Sequence, residues 1–285
     1  MPSHIFTRVG LWEESAAANK RSMEVAKRGK EPDEAYHAVD YMVYANLQLG
    51  KDAEARRLAD EVLNVTGITP RFVAPYAIAA MPARLAVERG QWKEASQLPV
   101  TQSPHAFVMA ITHYARALGA ARTGDLAAAR KDAEALAELH QKLEAAKNNY
   151  WATEVEIQRL AAGGWIALAE GKQDEALKLM RAAADLEDKN EKHIVTPGRI
   201  LPARELLAEM LLEVKQPKQA LAEFEASRMR EPNRFRNLYG SAVAADAAGD
   251  KVAAAAYYKQ LVALAAKGDG TRPEVARAKI ALASR

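Results

Sequence analysis

The sequence contains no cysteine, which excludes disulfide bonds, thiolate metal sites and cysteine nucleophiles. It also lacks any run of about 18 apolar residues that could span a bilayer and any charged-then-apolar signal pattern at its N-terminus. Its 40 basic and 37 acidic residues leave a net charge of only +3. No basic tail or stripe is present, so the charge pattern predicts no nucleic-acid partner.

Alanine dominates the hydrophobic 49% of the chain, whereas aromatic residues make up only 6%. Alanine is the best helix former, and its small side chain lets helices approach each other closely. Most of the 15 glycines and 12 prolines lie between stretches of helical periodicity. The composition therefore predicts an all-α protein, and we expect residues 1–285 to form a single repeat domain.

One short pattern recurs seven times along the chain, with spacings of 40, 40, 34, 47, 44 and 34 residues. A turn residue, usually glycine, is followed five positions later by alanine or serine. Glycine can adopt the positive φ that ends a helix, and the small residue allows two helices to cross. We therefore predict a tight helix–turn–helix at each of the turn residues Gly10, Gly50, Gly90, Gly124, Gly171, Lys215 and Gly249.

The opening residues "MPSHIFTRVGLWEES" return eighty positions later as "MPARLAVERGQWKEA". We interpret each Met-Pro pair as the entry to a short first helix. In this interpretation Trp12 and Trp92 begin the second helix of their hairpins and pack there.

Several segments interrupt the regular spacing. The stretch from Asp132 could be one long helix followed by another, or could turn at Asn148-Asn149. Residues 185–202 are predicted to form a charged loop, because Pro197, Gly198 and Pro202 oppose helix formation. Two further loops, each with two prolines that bar helix continuation, are predicted at 64–75 and 98–107.

Two segments resemble the tetratricopeptide repeat (TPR) family. They are "GGWIALAEGKQDEALKLMRAAADLE" and "QALAEFEASRMREPNRFRNLYGSAVAADAAGD", and the second places residues at four family positions, Ala220, Phe224, Ser227 and Pro232. "MPSHIF" together with "YHAVDY" is similar to a group of bacterial TPR proteins of unassigned function. The resemblance implies a right-handed superhelix of about seven hairpins, with the first helix of each lining a concave groove. A first helix in this family has about thirteen residues, so we expect the first hairpin to be shortened or frayed and the chain to continue a longer array.

Groove positions carried over from the family give the candidate site. They fall on His4, Arg8, His37, Asp40, Tyr44, Gln48, Arg84, Glu88, Tyr114, Arg122, Gln158, Trp165, Glu205, Glu209, Glu213, Arg236, Tyr239 and Asp246. The three glutamates lie four residues apart, where like charges repel. Two interpretations of this glutamate stripe stay open, contact with a basic partner and a solvated helix face.

Four common catalytic and nucleotide-binding motifs are missing from the sequence. It has no phosphate-binding glycine loop, HExxH, GxSxG or dinucleotide fingerprint, so we predict no catalysis and no cofactor. His4, His37 and Asp40 would converge between stacked hairpins, and two histidines with one carboxylate can bind a transition metal or transfer protons. The alternative is a polar cluster that orients helices or contacts a peptide.

The sequence thus predicts a scaffold that binds a protein or peptide in a TPR groove. The alternative is a small-molecule or metal site near His4, His37 and Asp40. Homo-oligomerisation through a terminal repeat is a further hypothesis. We expect a cytoplasmic protein, or a periplasmic one if the chain belongs to a longer precursor with a signal peptide.

Overall fold

The computed structural model describes residues 2–62 and 71–284, and within these residues it contains helices and no strand. The helices are α1 (Pro2–Arg8), α2 (Trp12–Gly29), α3 (Pro32–Gln48), α4 (Asp52–Val62), α5 (Val73–Val87), α6 (Trp92–Ser96), α7 (Ala106–Thr123), α8 (Leu126–Ala145), α9 (Asn149–Ala169), α10 (Gln173–Asp188), α11 (Ala203–Glu213), α12 (Pro217–Arg230), α13 (Phe235–Ala247), α14 (Lys251–Leu264) and α15 (Pro273–Ala283). Over these ranges, no helix is long and apolar enough to cross a membrane.

The predicted TPR-like array of helical hairpins is confirmed by the turns. All seven predicted turn residues adopt a positive φ, from 61° at Lys215 to 89° at Gly249. The small residue five positions after each turn is fully buried where the two helices cross, and these residues are Ser15, Ala55, Ala95, Ala129, Ala176, Ala220 and Ala254. A left-handed backbone at the turn and a small side chain at the crossing therefore define each hairpin.

The Met-Pro interpretation is correct at residue 2 and wrong at residue 82. Pro2 begins α1, but Pro82 lies inside α5, which starts nine residues earlier at Val73. Pro75 also lies inside α5, in its first turn. Backbone N–H groups of a first turn have no hydrogen-bond partner within the helix, so a proline is tolerated there. The remainder of that predicted loop, residues 64–70, lies outside the described residues. The loop predicted at 98–107 is confirmed over residues 98–105, whereas Ala106 and Phe107 begin α7.

The alternatives for the segment from Asp132 are resolved by a turn at Lys147. α8 ends at Ala145 and α9 begins at Asn149, with Lys147 at a φ of 54°. The loop predicted at 185–202 is shorter than expected, because α10 continues to Asp188. Residues 189–202 have no helix, and we call this connection between α10 and α11 the strap.

The chain comprises two compact units. The first consists of the described residues of Met1–Thr69, Ile194–Gly198 and Leu211–Arg285, and the second of those of Pro70–His193 and Arg199–Met210. The strap thus contributes residues to each unit. The expectation of a single domain stays a prediction.

The first unit joins hairpins that are distant in sequence. The indole Nε1 of Trp12 donates to the Asn233 carbonyl at 2.7 Å, and Gln48 Oε1 accepts from the first N–H of α13 at Phe235, at 2.8 Å. Arg272 forms a two-bond ion pair with Asp52, at 2.6 and 2.7 Å. Hairpins of this unit are therefore joined to hairpins that are not their neighbours in sequence.

In the second unit, Gly119 lets α7 contact the backbone of α6. A Cβ placed at Gly119 would lie 2.4 Å from the Trp92 carbonyl oxygen and 2.5 Å from the Ser96 nitrogen. Both are backbone atoms, which cannot rotate away as a flexible side chain can. At Gly163 in α9, an added Cβ would meet only Leu179 Cδ1 at 3.6 Å, an ordinary contact.

These two glycines give a matched pair of substitutions. Gly119→Ala is expected to lower the free energy of unfolding by about 3 kcal/mol, because α6 and α7 must separate to admit the methyl group. Gly163→Ala should leave it unchanged or raise it by up to about 1 kcal/mol, through the better helix propensity of alanine. Urea unfolding followed by circular dichroism measures both. Equal effects of the two substitutions would contradict the close approach of α6 and α7.

Candidate functional site

In the first unit, two predicted site residues meet in a cluster formed by His4, His37 and Tyr41. His4 on α1 and His37 on α3 approach to 3.0 Å between their Nε2 atoms. The His4 ring stacks on the Tyr41 ring, with centroids 4.7 Å apart and an angle of 6° between planes. Tyr41 follows His37 by one helical turn, so both face α1 from the same side of α3. We call these three residues the His cluster.

Hydrogen bonds to the strap fix the tautomers of the His cluster. His4 Nδ1 lies 3.1 Å from the carbonyl oxygen of Ile194, and because a carbonyl only accepts, Nδ1 carries the proton. In the neutral ring, Nε2 of His4 is then an acceptor, and His37 Nε2–H donates to it. The Tyr41 hydroxyl donates to the next strap carbonyl, that of Val195, at 3.0 Å.

Burial keeps both imidazoles neutral. Desolvation, with a smaller contribution from the neighbouring His4, lowers the pKa of His37 to about 4. The pKa of His4 is also lowered, chiefly by burial, and the Ile194 carbonyl opposes this shift. Protonating both rings would direct two N–H groups at each other, so the cluster favours the uncharged state.

The metal hypothesis needs a third ligand beside the two histidines. Among the residues that the structure describes, no group of three or more His, Asp or Glu side chains could hold a metal ion. Asp40 is buried on α3 with 2% of its surface exposed. The facing imidazole nitrogens already bond to each other, and a metal site at His4, His37 and Asp40 stays a prediction.

The remaining predicted groove residues of α3 are covered by the start of α13 in the first unit. Tyr44 is 1% exposed and its hydroxyl accepts a hydrogen bond from the fully buried Arg234. Gln48 is also fully buried and caps α13 through the Phe235 N–H. A ligand at Tyr44 or Gln48 would have to displace residues of this chain.

In the second unit, a buried arginine of the strap lies between two carboxylates. Arg199 Nη2 donates to Glu154 Oε1 on α9 at 2.8 Å, and its Nε lies 3.4 Å from Glu187 Oε2 on α10. Nη2 also donates to the carbonyl of Asn190. Fully buried Arg84, on α5, donates to the carbonyl of Arg199 at 2.8 Å. We call the site formed by Glu154 and Glu187 around this guanidinium the Arg199 pocket.

His4 and Arg84 occupy the same position in the two copies of the repeated opening sequence. Each donates to a strap carbonyl, His4 to Ile194 in the first unit and Arg84 to Arg199 in the second. The sequence repetition thus corresponds to a repeated structural role. In both copies the side chain donates to a backbone carbonyl, an acceptor that is present at any residue type.

Aromatic rings lie at the N-terminal ends of three helices in the second unit. Trp151 of α9 stacks on Phe107 of α7 with centroids 4.0 Å apart, and His193 of the strap stacks on Trp151 at 4.9 Å. Phe72, just before α5, contacts all three rings edge to face. The Tyr150 hydroxyl donates to the strap carbonyl of Glu191 at 3.1 Å. Burial is the main cause that raises the pKa of Tyr150, so this phenol remains a donor at neutral pH.

A second arginine of this unit is stacked between two indoles. The Arg122 guanidinium lies 4.4 Å from the centroid of the Trp92 ring and 4.0 Å from that of Trp165. The Glu209 carboxylate on α11 is 3.7 Å from Arg122 Nη1, and both side chains are 17% exposed. Trp165 is 3% exposed, whereas Trp92 is only partly buried. We call these four residues the Arg122 cluster.

The other predicted site residues differ in exposure. Glu205 of the glutamate stripe is 1% exposed, Glu209 is partly buried and Glu213 is exposed, so the stripe is not a uniformly solvated face. The further buried residues are Glu88 and Tyr114, and the partly buried ones are Arg8, Gln158, Arg236, Tyr239 and Asp246. Whether any of them contacts a ligand stays a prediction.

Sequence reasoning missed several residues of these clusters. Tyr41 is not among the predicted site residues, although its spacing of four from His37 places it on the same face of α3. Glu154, Glu187 and Arg199 had no signal, because their meeting depends on the path of a non-helical strap. His113 and Asp132 were also missed, and they form a buried network in which Asp132 bonds to His113 at 2.7 Å and to Arg116 at 3.0 Å.

Fold and clusters together define a helical-repeat protein with polar, arginine- and aromatic-rich faces. No family model matches the chain, and no curated protein matches it. Among solved structures, it is similar to a tetratricopeptide repeat protein from Parabacteroides merdae, at 16% identity and a TM-score of 0.49, covering 99% of this chain and 94% of that one.

The His cluster makes stability depend on pH. In the unfolded chain His37 takes up a proton as pH falls through about 6.5, but in the folded chain only near 4. The unfolded state therefore binds more protons between these values, and the free energy of unfolding falls as pH falls through this window. The loss due to His37 is on the order of 2 kcal/mol.

His37→Gln tests this dependence, since glutamine can still donate to His4 but does not titrate. The difference in unfolding free energy between wild type and variant, measured by urea unfolding at pH 7.5 and 5.0, should shift in favour of the variant at the lower pH. A difference that is the same at both pH values would contradict a neutral, buried His37.

Proposed function

We propose that this protein is a non-catalytic, helical-repeat module that binds a protein or peptide, with the Arg122 cluster as its principal contact. The observation that carries the proposal is an arginine side chain, 17% exposed, whose guanidinium lies over two indole rings. Arginine and tryptophan are the side chains that most often dominate binding energy at protein interfaces. Helical hairpins supply rigid support for such a cluster, because its residues lie on four separate helices.

The chemistry of the Arg122 cluster favours an acidic segment of the partner. The Arg122 guanidinium lies over both indole rings, and these contacts restrict its orientation. A planar guanidinium edge matches a carboxylate through two parallel hydrogen bonds. The neighbouring Glu209 already places one carboxylate 3.7 Å from Nη1, the kind of group that we expect the partner to supply. Proteins rather than nucleic acids are the proposed partners, in line with the nearly balanced charge of the chain.

A selection of random peptides on the immobilised protein tests the proposed function. We expect enriched peptides to contain Asp or Glu and to bind Arg122→Gln about 30-fold more weakly than wild type, since losing a central anchor costs about 2 kcal/mol. Fluorescence anisotropy with the labelled peptides measures the affinity.

Arg130→Gln is the matched control. Arg130 is 58% exposed on α8 and pairs with Glu170, so its loss should leave the affinity unchanged. Circular dichroism confirms that both variants are folded. Peptides that bind wild type and Arg122→Gln equally would overturn the assignment of the Arg122 cluster.

A further inference from the structure

We propose that the Arg199 pocket is a binding site for an arginine side chain of a partner, and that the chain's own Arg199 occupies it in this structure. The proposal adds a second site to the proposed function and does not depend on the Arg122 cluster. All residues used in it belong to the second unit.

The residues that line the pocket lie on helices, whereas the arginine that occupies it lies on the strap. Glu154 and Trp151 lie on α9, Glu187 on α10, Tyr76 on α5 and Phe107 on α7, whereas Arg199 lies on the non-helical strap. Glu187 is held in place by the first N–H of α11, at Ala203, which donates to both of its carboxylate oxygens at 3.0 Å. Glu187 would therefore remain in place if the strap moved away, and Glu154 would stay on α9 with its carboxylate available to a new donor.

The geometry around the guanidinium is that of arginine recognition. Glu154 accepts from Nη2 at 2.8 Å and also from Asn190 Nδ2 at 2.8 Å, and Glu187 approaches Nε from another helix. Without the guanidinium the two carboxylates would lie there without this cation, so the site favours a positively charged side chain. A guanidinium, which has several N–H donors in one plane, can bond to two carboxylates from different sides better than the single ammonium group of a lysine.

A small cavity adjoins the occupant. Its volume is about 20 Å³, enough for one water molecule, and it is bordered by Arg199, Trp151 and Gln158. Gln158 Oε1 is buried there, and no group of the described residues donates a hydrogen bond to it. An acceptor without a donor beside a bound guanidinium indicates that Arg199 does not use all of the hydrogen-bonding capacity of the pocket.

The strap around Arg199 is held mainly through its backbone. Arg84 donates to the Arg199 carbonyl, Tyr150 to that of Glu191, and Arg199 itself to that of Asn190. Main-chain contacts of this kind accept any extended peptide, and the arginine supplies the sequence preference. Ile200 and Leu201 are buried directly after it, so the preferred partner has arginine followed by apolar residues.

The test is the affinity of a labelled peptide with the strap sequence VTPGRILP, compared with the same peptide carrying Gln in place of Arg. The wild-type protein should prefer the arginine peptide by about tenfold, since a neutral amide leaves both carboxylates without a cation. Arg199→Ala should bind the arginine peptide about 100-fold more tightly than wild type, because the tethered competitor is gone. Adding Glu154→Gln to this variant should remove most of the preference for arginine.

Two results would overturn the proposal. One is equal affinity of wild type for the two peptides, including no measurable binding of either. The other is equal affinity of wild type and folded Arg199→Ala for the arginine peptide. If Arg199→Ala does not fold, Arg199→Lys retains a charge in the pocket and should still bind the arginine peptide more tightly than wild type. Arg130→Gln, which removes an exposed arginine of the same unit, should not change this affinity.

Discussion

The need to pair buried hydrogen-bonding groups determines where the strap lies. Arg84 is fully buried on α5, and an unpaired charge there would cost several kcal/mol. The strap has no helix, so its carbonyls lack the regular backbone partners that a helix supplies. The hydrogen bond from Arg84 to the Arg199 carbonyl gives a partner to the buried guanidinium and to the strap carbonyl. In the first unit, His4 and Tyr41 donate to two other strap carbonyls. Polar helix faces and a non-helical connection thus stabilise each other.

This pairing also explains why a polar face need not be an open surface. Residues such as Tyr44 and Gln48 have the polar character of ligand contacts, yet in the first unit they bond to Arg234 and to the Phe235 N–H. The chemistry that suits a peptide partner suits the chain's own backbone equally well. The exposed part of a predicted face, rather than its composition, decides where a partner can bind.

The hairpins were predictable because their determinants are local. A positive φ at Gly10 or Gly124 and a small residue five positions later depend on a few neighbouring residues, and a sequence displays these directly. The neutral His4–His37 pair was partly predictable, since the repeat spacing brings α1 beside α3. Pro82 misled the prediction, because a proline that often begins a helix lies inside α5. The Arg199 pocket could not be predicted, because no periodicity governs the path of residues 189–202.

The composition of the first unit has a consequence for how the chain acquires its structure. Trp12, Gln48 and Asp52 bond to residues that follow them by about two hundred positions, so these contacts close very long loops and raise the contact order. During synthesis, the N-terminal helices leave the ribosome long before Asn233, Phe235 and Arg272 exist. The second unit consists of residues 70–210 apart from the short strap segment 194–198, and can pack almost completely in that interval. Of the two units, the one that contains the earlier residues of this chain is therefore expected to complete its folding last.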